Sequence, residues 1–308
     1  MGQQAASIIV DWGTTSLRAT LVTAEGQALD HLETQQGISV LAKGEHEKVL
    51  LETLQPWLTA HGALPIAALG MITSRNGWVE VDYVHCPAGL EELSHGTVTR
   101  TLPNGSQLVF LAGLTDPAGK PFADVMRGEE TQVVGLGLAS NRTVILPGTH
   151  SKWALVADGR IARFQTFVTG EIFSLLMNHS FIARGAANPP VEDAAAFRRG
   201  LKEAAGTGAM LSLLFSARTG GLAKEISADE LRSYVSGLVI GQEFRQASEE
   251  GWFKAGDEVA IVGNDGLNGL YGVAASTFGL TVKEASGSEA IDGAIAILKA
   301  ACDRHRDV

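Results

Sequence analysis

The residues from Asp11 to Thr15 combine a carboxylate, a glycine and two hydroxyl side chains directly after an apolar segment. Gly13 allows the backbone amides of this turn to approach an anion closely, and Thr14 and Thr15 add hydroxyl donors. Asp11 would repel a bare phosphate, so we expect a divalent cation such as Mg²⁺ between them, because Mg²⁺ binds one or two carboxylates together with phosphate oxygens. The alternative is an ordinary β-turn in which Asp11 hydrogen-bonds its own backbone.

A second loop of similar composition, Pro147–Lys152, follows another apolar segment near the middle of the chain. Its Gly-Thr pair, with a serine two residues later, repeats the pattern of the first loop. A lysine would meet a phosphate as a point charge and a histidine would serve as a donor, although a lone histidine is more often a surface or packing residue. The predicted phosphate-binding residues of this loop are Gly148, Thr149, His150, Ser151 and Lys152.

Both loops lie between the strands of a predicted β-meander. Each meander has an apolar strand, a Gly-Thr turn, a second strand, a tight turn and a third strand, and the second contains the Asp158-Gly159 pair that is typical of a hairpin. This repeated order predicts an α/β protein with two similar domains, residues 1–140 and 141–308. Coincidence is the alternative, because Gly-Thr turns are common.

Further helices and strands complete the two predicted domains. Apolar residues at helical spacing from Val49 to Leu58 predict one helix, and Ser227–Glu230 is a capping box that opens another. Val259–Val262 is predicted as a buried strand, and a C-terminal helix is predicted around Ala290–Ala301.

The composition excludes several classes of protein. The chain has 308 residues, of which 45% are hydrophobic, and this argues against intrinsic disorder; the net charge of −10 argues against binding to nucleic acid. Cys86 and Cys302 lie far apart, which argues against a disulfide framework and against a zinc site. The N-terminal residues lack the features of a secretory signal, and no apolar run has the length of a membrane span, so we expect a cytoplasmic protein without a membrane partner.

In its longer motifs the chain resembles the 2-dehydro-3-deoxygalactonokinases, which are actin-like sugar kinases related to hexokinase and Hsp70. The resemblance covers nearly the whole chain and rests on DWGTTSLRA at 11–19, GMITSRNGW at 70–78, CPA at 86–88, DVMRGEETQ at 124–132 and LPGTHSKW at 146–153. It implies two ribonuclease H-like (actin-like ATPase) domains with a cleft between them, in which both loops grip ATP. It also implies phosphorylation of the 6-hydroxyl group of 2-dehydro-3-deoxy-D-galactonate. The second loop has Pro147 where the wider superfamily often has Asp, so the predicted metal site relies on Asp11 alone.

The resemblance also implies a catalytic base. In related sugar kinases, a carboxylate at the start of a helix shortly before the second loop accepts the proton of the sugar hydroxyl. Glu129 follows Gly128 as the base follows a glycine in the relatives, so Glu129 is the predicted base, while Glu130 and Asp124 remain alternatives. Either glutamate would also favour a helix N-terminus through the helix dipole.

A sugar-acid substrate carries a carboxylate, and its site therefore needs a cation. Arg75 lies in a loop at the predicted C-terminal end of a strand, where α/β proteins bind ligands, and a guanidinium binds a carboxylate with two hydrogen bonds. Arg127 is a second candidate cation, equally able to pair with Glu130, and Trp78 would stack on the carbon chain unless it is a core aromatic. The predicted substrate-binding residues are Ser74, Arg75, Trp78, Asp124 and Arg127.

The adenosine moiety is expected after the late strand Val259–Val262. A glycine at this point allows a flat base or a ribose to approach the backbone, and the helix that follows offers its N-terminus. The predicted adenosine-binding residues are Gly263, Asn264 and Leu267.

Two rival interpretations remain on the same fold. A non-catalytic sensor of sugar acids or nucleotides would keep the pocket without a base, and Glu129 and Glu130 argue against it. An actin-like filament protein would hydrolyse ATP without a sugar, and the segment 74–78 argues against that. A kinase for another sugar acid, such as 2-dehydro-3-deoxygluconate, and assembly as a homodimer both remain open.

Overall fold

The structure is a computed structural model that describes residues 4–283 and 285–304. The described residues form two compact units, each discontinuous in sequence. Unit 1 is drawn from residues 1–141, 156–163 and 288–308, and unit 2 from residues 142–155 and 164–287. The C-terminal helix therefore groups with unit 1, whereas the sequence-based division assigned it to the second domain.

Two β-sheets form unit 1. Their strands are β1 (Ser7–Trp12), β2 (Leu17–Val22), β3 (Ala28–Thr34), β4 (Ile66–Leu69), β5 (Val84–His85), β6 (Val98–Thr101), β7 (Gln107–Phe110), β8 (Leu114–Asp116) and β9 (Asp124–Met126). The larger sheet has the order β3-β2-β1-β4-β7-β6, and the smaller has the order β5-β8-β9. In the larger sheet β1, β4 and β7 run parallel, while β1, β2 and β3 form the predicted antiparallel meander.

Three helices precede the second loop: α1 (His46–His61), α2 (Leu90–His95) and α3 (Glu129–Leu136). The apolar face predicted for the first of them is buried, at Val49, Leu50, Leu54 and Trp57. These side chains join the core that covers one face of the larger sheet, because an amphipathic helix is stabilised by burying its apolar stripe.

A second sheet of similar topology lies mainly in unit 2, although residues 156–163, which span the turn between two of its strands, group with unit 1. Its strands are β10 (Arg142–Leu146), β11 (Ser151–Ala157), β12 (Arg160–Phe167), β13 (Glu258–Ile261) and β14 (Thr281–Lys283). Their order, β12-β11-β10-β13-β14, repeats the order β3-β2-β1-β4-β7 of unit 1. As β4 and β7 do in unit 1, β13 and β14 run parallel to the first strand of their meander. The prediction of two similar α/β, ribonuclease H-like sheets is thus confirmed.

Helices complete unit 2: α4 (Thr169–His179), α5 (Ala194–Ala204), α6 (Met210–Leu222), α7 (Ala228–Glu249) and α8 (Asp265–Thr277). The predicted capping box opens α7, because Glu230 Oε2 accepts a hydrogen bond from Ser227 N (2.7 Å) and Ser227 Oγ accepts one from Glu230 N (3.3 Å). Helices α5 and α7 cross at Gly200 and Gly237, where a Cβ on either residue would collide with the backbone of the other helix.

The last helix, α9 (Glu289–Arg304), packs against α3 in unit 1. The two helices meet at Gly135 and Gly293, where a Cβ on either residue would collide with the opposite backbone. In the sequence, α9 could be assigned to a domain only from its position along the chain, and that position does not reveal its packing against α3. Within the described residues, none of the helices combines the length and the hydropathy needed to cross a bilayer.

Candidate active site

The first loop joins β1 to β2 and presents a row of hydrogen-bond donors. The carbonyl oxygens of Gly13, Thr14 and Thr15 accept hydrogen bonds from the backbone amides of residues 37–39, at 3.0 to 3.1 Å. Thr14 and Thr15 are exposed, and their amides and hydroxyls donate no hydrogen bond to any described residue. The loop is therefore fixed through its carbonyl groups while these donors stay available to an anion.

Asp11 lies near the end of β1, and the charges of Arg18 and Glu129 act on its carboxylate. About half of its side chain is exposed, at 49%, and Arg18 Nη1 lies 3.5 Å from Asp11 Oδ2. Partial burial raises the pKa of Asp11; Arg18 opposes that shift, and the negative charge of Glu129 adds to it. The charge of Glu129, from a distant part of the sequence, therefore acts on Asp11.

The backbone explains how these distant residues meet. Gly70, directly after β4, has a φ of +86°, and a Cβ on it would lie 2.9 Å from Asp11 Oδ1 and 3.1 Å from Trp12 O. A Cβ on Gly128 would lie 3.9 Å from Gly70 Cα. The end of β1, the residue after β4 and the residue before α3 are therefore neighbours in unit 1.

The three carboxylates considered for the base have different surroundings. Glu129 is the first residue of α3, is partly exposed, and accepts a hydrogen bond from the backbone amide two residues before it (3.0 Å). Glu130 is buried, and both its oxygens accept from Gly128 N (2.9 and 2.8 Å); burial, with the charge of Glu129, raises the pKa of Glu130 to about 8. Asp124 in β9 accepts from the next backbone amide (2.7 Å). Glu129 is thus the one that combines partial exposure with an electrostatic effect on Asp11.

Arg127 supports the segment that follows β4. Its Nη1 donates to Thr73 Oγ1 (2.6 Å) and its Nη2 donates to Val81 O (2.9 Å). Its guanidinium carbon also lies 4.3 Å from the centre of the Tyr83 ring. Protein groups thus hold Nη1 and Nη2 of this guanidinium, and the role of Arg127 as a substrate-binding cation stays a prediction.

Arg75 and Ser74 lie in the turn after β4 and differ in availability. Arg75 is exposed, and its side chain makes no hydrogen bond or ion pair with any described residue. Ser74 Oγ donates to Met71 O (2.7 Å), so this hydroxyl stabilises its own turn. Arg75 is therefore the predicted substrate-binding side chain that remains open to a carboxylate.

Trp78 is partly buried against the core of unit 1, and its stacking on a substrate stays a prediction. Its ring stacks on His46, with centroids 6.1 Å apart and planes 10° apart. It also meets the Phe110 ring edge-to-face at 5.3 Å. The alternative noted from the sequence, a core aromatic, is the one that these contacts support.

The second loop joins β10 to β11 in unit 2 and rests on the start of α4. Thr149 and His150 are exposed, and His150 Nε2 lies 2.6 Å from Glu171 Oε2. A Cβ on Gly170 would collide with the backbone of Gly148 and Thr149, so the first turn of α4 packs directly on the loop. Glu171 N also donates to Thr149 O (2.9 Å).

Ser151 and Lys152 were predicted to bind phosphate, but their side chains are buried. Ser151 Oγ donates to Glu243 Oε1 (2.8 Å), and Lys152 Nζ donates to His150 O (3.1 Å). Both side chains thus hold the loop from inside the protein, and phosphate binding by them stays a prediction. The exposed part of the loop is formed by residues before Ser151.

A cavity of about 550 Å³ lies beside the second loop in unit 2. Its wall contains Gly148 together with residues of α4, α5, α7 and α8, and it includes the predicted adenosine-binding residues Asn264 and Leu267. Asn264 Oδ1 caps α8 by accepting a hydrogen bond from Leu267 N (3.0 Å). A Cβ on Gly263 would lie 3.4 Å from Pro147 Cδ, so the segments that follow the parallel strands β10 and β13 are neighbours. The volume is typical of small-molecule sites.

Several residues around this cavity were missed in the sequence. Thr169, Arg232 and Tyr271 line it, and Glu243 is buried among hydrogen-bond donors close to it. These residues lie on three different helices. The capping box predicted where α7 begins, but it could not indicate which face of α7 lines the cavity.

Comparison with known proteins points to one family. The family model described as 2-keto-3-deoxy-galactonokinase matches residues 11–297. The chain is 31% identical over 290 residues to a 2-dehydro-3-deoxygalactonokinase from Escherichia coli (strain K12), covering 94% of this chain and 95% of that protein. It is similar to the crystal structure of a candidate 2-dehydro-3-deoxygalactonokinase from Sinorhizobium meliloti, with 33% identity, a TM-score of 0.86, and coverage of 98% of this chain and 100% of that one.

A more distant solved structure is similar in fold alone. The activator of the 2-hydroxyisocaproyl-CoA dehydratase from Clostridium difficile, with bound ADPNP, shares 11% identity and a TM-score of 0.52. The likeness covers 98% of this chain and 97% of that one.

Proposed function

The chain belongs to the 2-keto-3-deoxy-galactonokinase family of carbohydrate kinases, and we propose that it transfers the γ-phosphate of ATP to the 6-hydroxyl group of 2-dehydro-3-deoxy-D-galactonate. The observation that carries the site assignment is that Gly70 packs against both Asp11 and Gly128, the residue before Glu129, at the end of the strand that leads into the open donors of Thr14 and Thr15. Phosphoryl transfer to an alcohol needs a base, a metal ligand and anion-binding groups, and these residues offer all three.

Asp11 is proposed to bind Mg²⁺. Within the described residues no group of three or more His, Cys, Asp or Glu side chains is arranged to hold a metal ion, so a cation here would take most of its ligands from phosphate and water. Mg²⁺ fits such a site, because it is usually bound by one or two carboxylates and keeps several waters. When bound, the ion would neutralise negative charge on the phosphate oxygens.

Glu129 is proposed as the general base. As the hydroxyl oxygen of the sugar acid forms its bond to the γ-phosphorus, the bond from that phosphorus to the departing oxygen of ADP breaks. The hydroxyl proton passes to the Glu129 carboxylate. The hydrogen bond from the Arg127 amide to Glu129 Oε2 (3.0 Å) orients this carboxylate.

Each unit, taken by itself, offers further groups suited to part of a ligand. In unit 1, Thr14 and Thr15 would donate to phosphate oxygens, and Arg75 would bind the carboxylate of the acid. In unit 2, the backbone of Gly148 and Thr149 would contact phosphate. The cavity lined by residues such as Asn264 and Leu267 would hold adenosine.

A coupled assay of ADP release tests this function. We expect release with 2-dehydro-3-deoxy-D-galactonate, a smaller kcat/KM with its gluconate epimer, and no release above background without an acid. ³¹P NMR of the product should show phosphorus coupled to the protons on carbon 6. ADP release that is independent of the acid, or a phosphate on another carbon, would contradict the proposal.

A further inference from the structure

The side chain of Glu243 is a buried carboxylate with an unusual number of donors. It lies in α7 and is 3% exposed. Its Oε1 accepts hydrogen bonds from Ser151 Oγ (2.8 Å) and Trp153 Nε1 (2.8 Å), and its Oε2 accepts one from Tyr271 OH (2.7 Å). The hydroxyl of Thr169 is a further donor to it.

The donors connect Glu243 to the elements that build the cavity of unit 2. Ser151 is the first residue of β11 and directly follows the second loop. Thr169 begins α4 and Tyr271 lies in α8, and both residues line the cavity. Glu243 itself does not line the cavity. One carboxylate thus joins the loop and two walls without being open to a ligand.

A structural role in the core does not by itself require a carboxylate. Burial raises the pKa of Glu243, and the hydrogen bonds of its donors oppose the shift. Taking a carboxyl group out of water is unfavourable, and a leucine of similar size would fill the same space at a smaller desolvation cost. What leucine cannot do is accept hydrogen bonds from several elements at once and thereby fix their relative positions.

We propose that Glu243 is a positioning residue for the nucleotide: it holds the second loop, the start of α4 and helix α8 in the arrangement that binds ATP, without contacting the nucleotide. The inference rests on the proposed function in one respect, namely that the cavity of unit 2 binds adenosine. It goes beyond that function by assigning a role to a buried residue outside the groups proposed to touch either substrate.

Three variants and one control test the role. Glu243→Leu removes all acceptor atoms, Glu243→Gln keeps one acceptor oxygen, and Tyr271→Phe removes a single donor. Gln242→Leu is the control, because Gln242 is the neighbouring buried polar residue of α7 and donates to Ala204 O (2.9 Å) at the end of α5. For each protein we would measure the Kd of ADP by calorimetry, the KM values of ATP and of the acid, and the unfolding temperature.

The expected result separates nucleotide binding from general stability. Losing hydrogen bonds to a charged group should weaken ADP binding by about tenfold or more in Glu243→Leu, with a parallel rise in the KM of ATP. Glu243→Gln should restore most of the affinity, and the KM of the acid should change less than about twofold in each variant. The control should lower the unfolding temperature without changing the Kd of ADP.

Three outcomes would overturn the proposal, and the last of them is distinguishable from the first two because it concerns the wild-type protein. If the wild-type protein binds ADP while Glu243→Leu binds it equally well, Glu243 has no positioning role. Should Glu243→Leu fail to fold, Tyr271→Phe decides: we expect the loss of its hydrogen bond to Glu243 Oε2 to weaken ADP binding, and wild-type affinity in this variant would likewise exclude that role. If the wild-type protein does not bind ADP, the adenosine assignment fails, and this inference fails with it.

Discussion

Replacing Glu129 by glutamine tests the assignment of the base. The substitution keeps the size of the side chain and an oxygen that can still accept from the Arg127 amide, now at 3.0 Å, so the start of α3 should keep its geometry. It removes the proton acceptor and the negative charge that raises the pKa of Asp11. Losing a general base typically reduces the rate by roughly 10²- to 10⁴-fold. That range corresponds to about 2.7 to 5.5 kcal/mol of transition-state stabilisation.

The assay is coupled ADP release at saturating ATP and acid, with the Kd of ADP measured in parallel. We expect kcat to fall by at least about 10²-fold while the Kd of ADP stays within about threefold of the wild-type value. Glu130→Gln is the matched control: this neighbouring carboxyl is buried, and we expect activity within a few-fold of wild type. Near-wild-type turnover in Glu129→Gln, or an equal loss in Glu130→Gln, would refute the assignment.

Two further predictions concern the acid and the pH dependence of stability. Arg75→Ala should raise the KM of the sugar acid by about tenfold or more and leave the KM of ATP within about twofold. Arg75→Lys should recover part of the loss, because lysine keeps the charge but cannot form two parallel hydrogen bonds to a carboxylate. Equal effects on both KM values would show that Arg75 does not bind the acid. The pKa of Glu130 is 4.5 in the unfolded chain and about 8 in the folded protein, so the folded state binds the proton more tightly. The free energy of unfolding should therefore fall as pH rises from 4.5 to about 8. Each pH unit in that window accounts for at most about 1.4 kcal/mol. Urea unfolding of Glu130→Gln should show a flatter dependence on pH, and parallel curves for the two proteins would contradict the shift.

Local patterns made much of the fold predictable. The Asp158-Gly159 turn and the alternation of apolar segments predicted both meanders, and the capping box at Ser227 predicted the start of α7. These signals act over a few residues, so one sequence is enough to see them. Repetition of the same element order then predicted two sheets of similar topology, which the strand orders confirm.

The candidate site was less predictable because its contacts join distant segments. Ser151 matched the pattern of the first loop, yet its hydroxyl faces a glutamate 92 residues later, and sequence spacing carries no information on that pairing. Trp78 lies in a polar loop motif, but its ring packs against the core. Burying a large aromatic ring is favourable, and a local polar motif gives no sign of it. The roles of Asp11, Glu129 and Arg75 stay predictions, to be settled by the variants above.

The packing of α9 on α3 affects how the protein folds while it is being synthesised. The helix that starts with Glu129 emerges from the ribosome long before Gly293, whose bare backbone fits against Thr131. Until α9 has been synthesised, the face of α3 that it covers lacks this packing. The first sheet can therefore form during translation before α9 packs on α3. A fragment ending at residue 141 would therefore expose the face of α3 that α9 covers in the full chain.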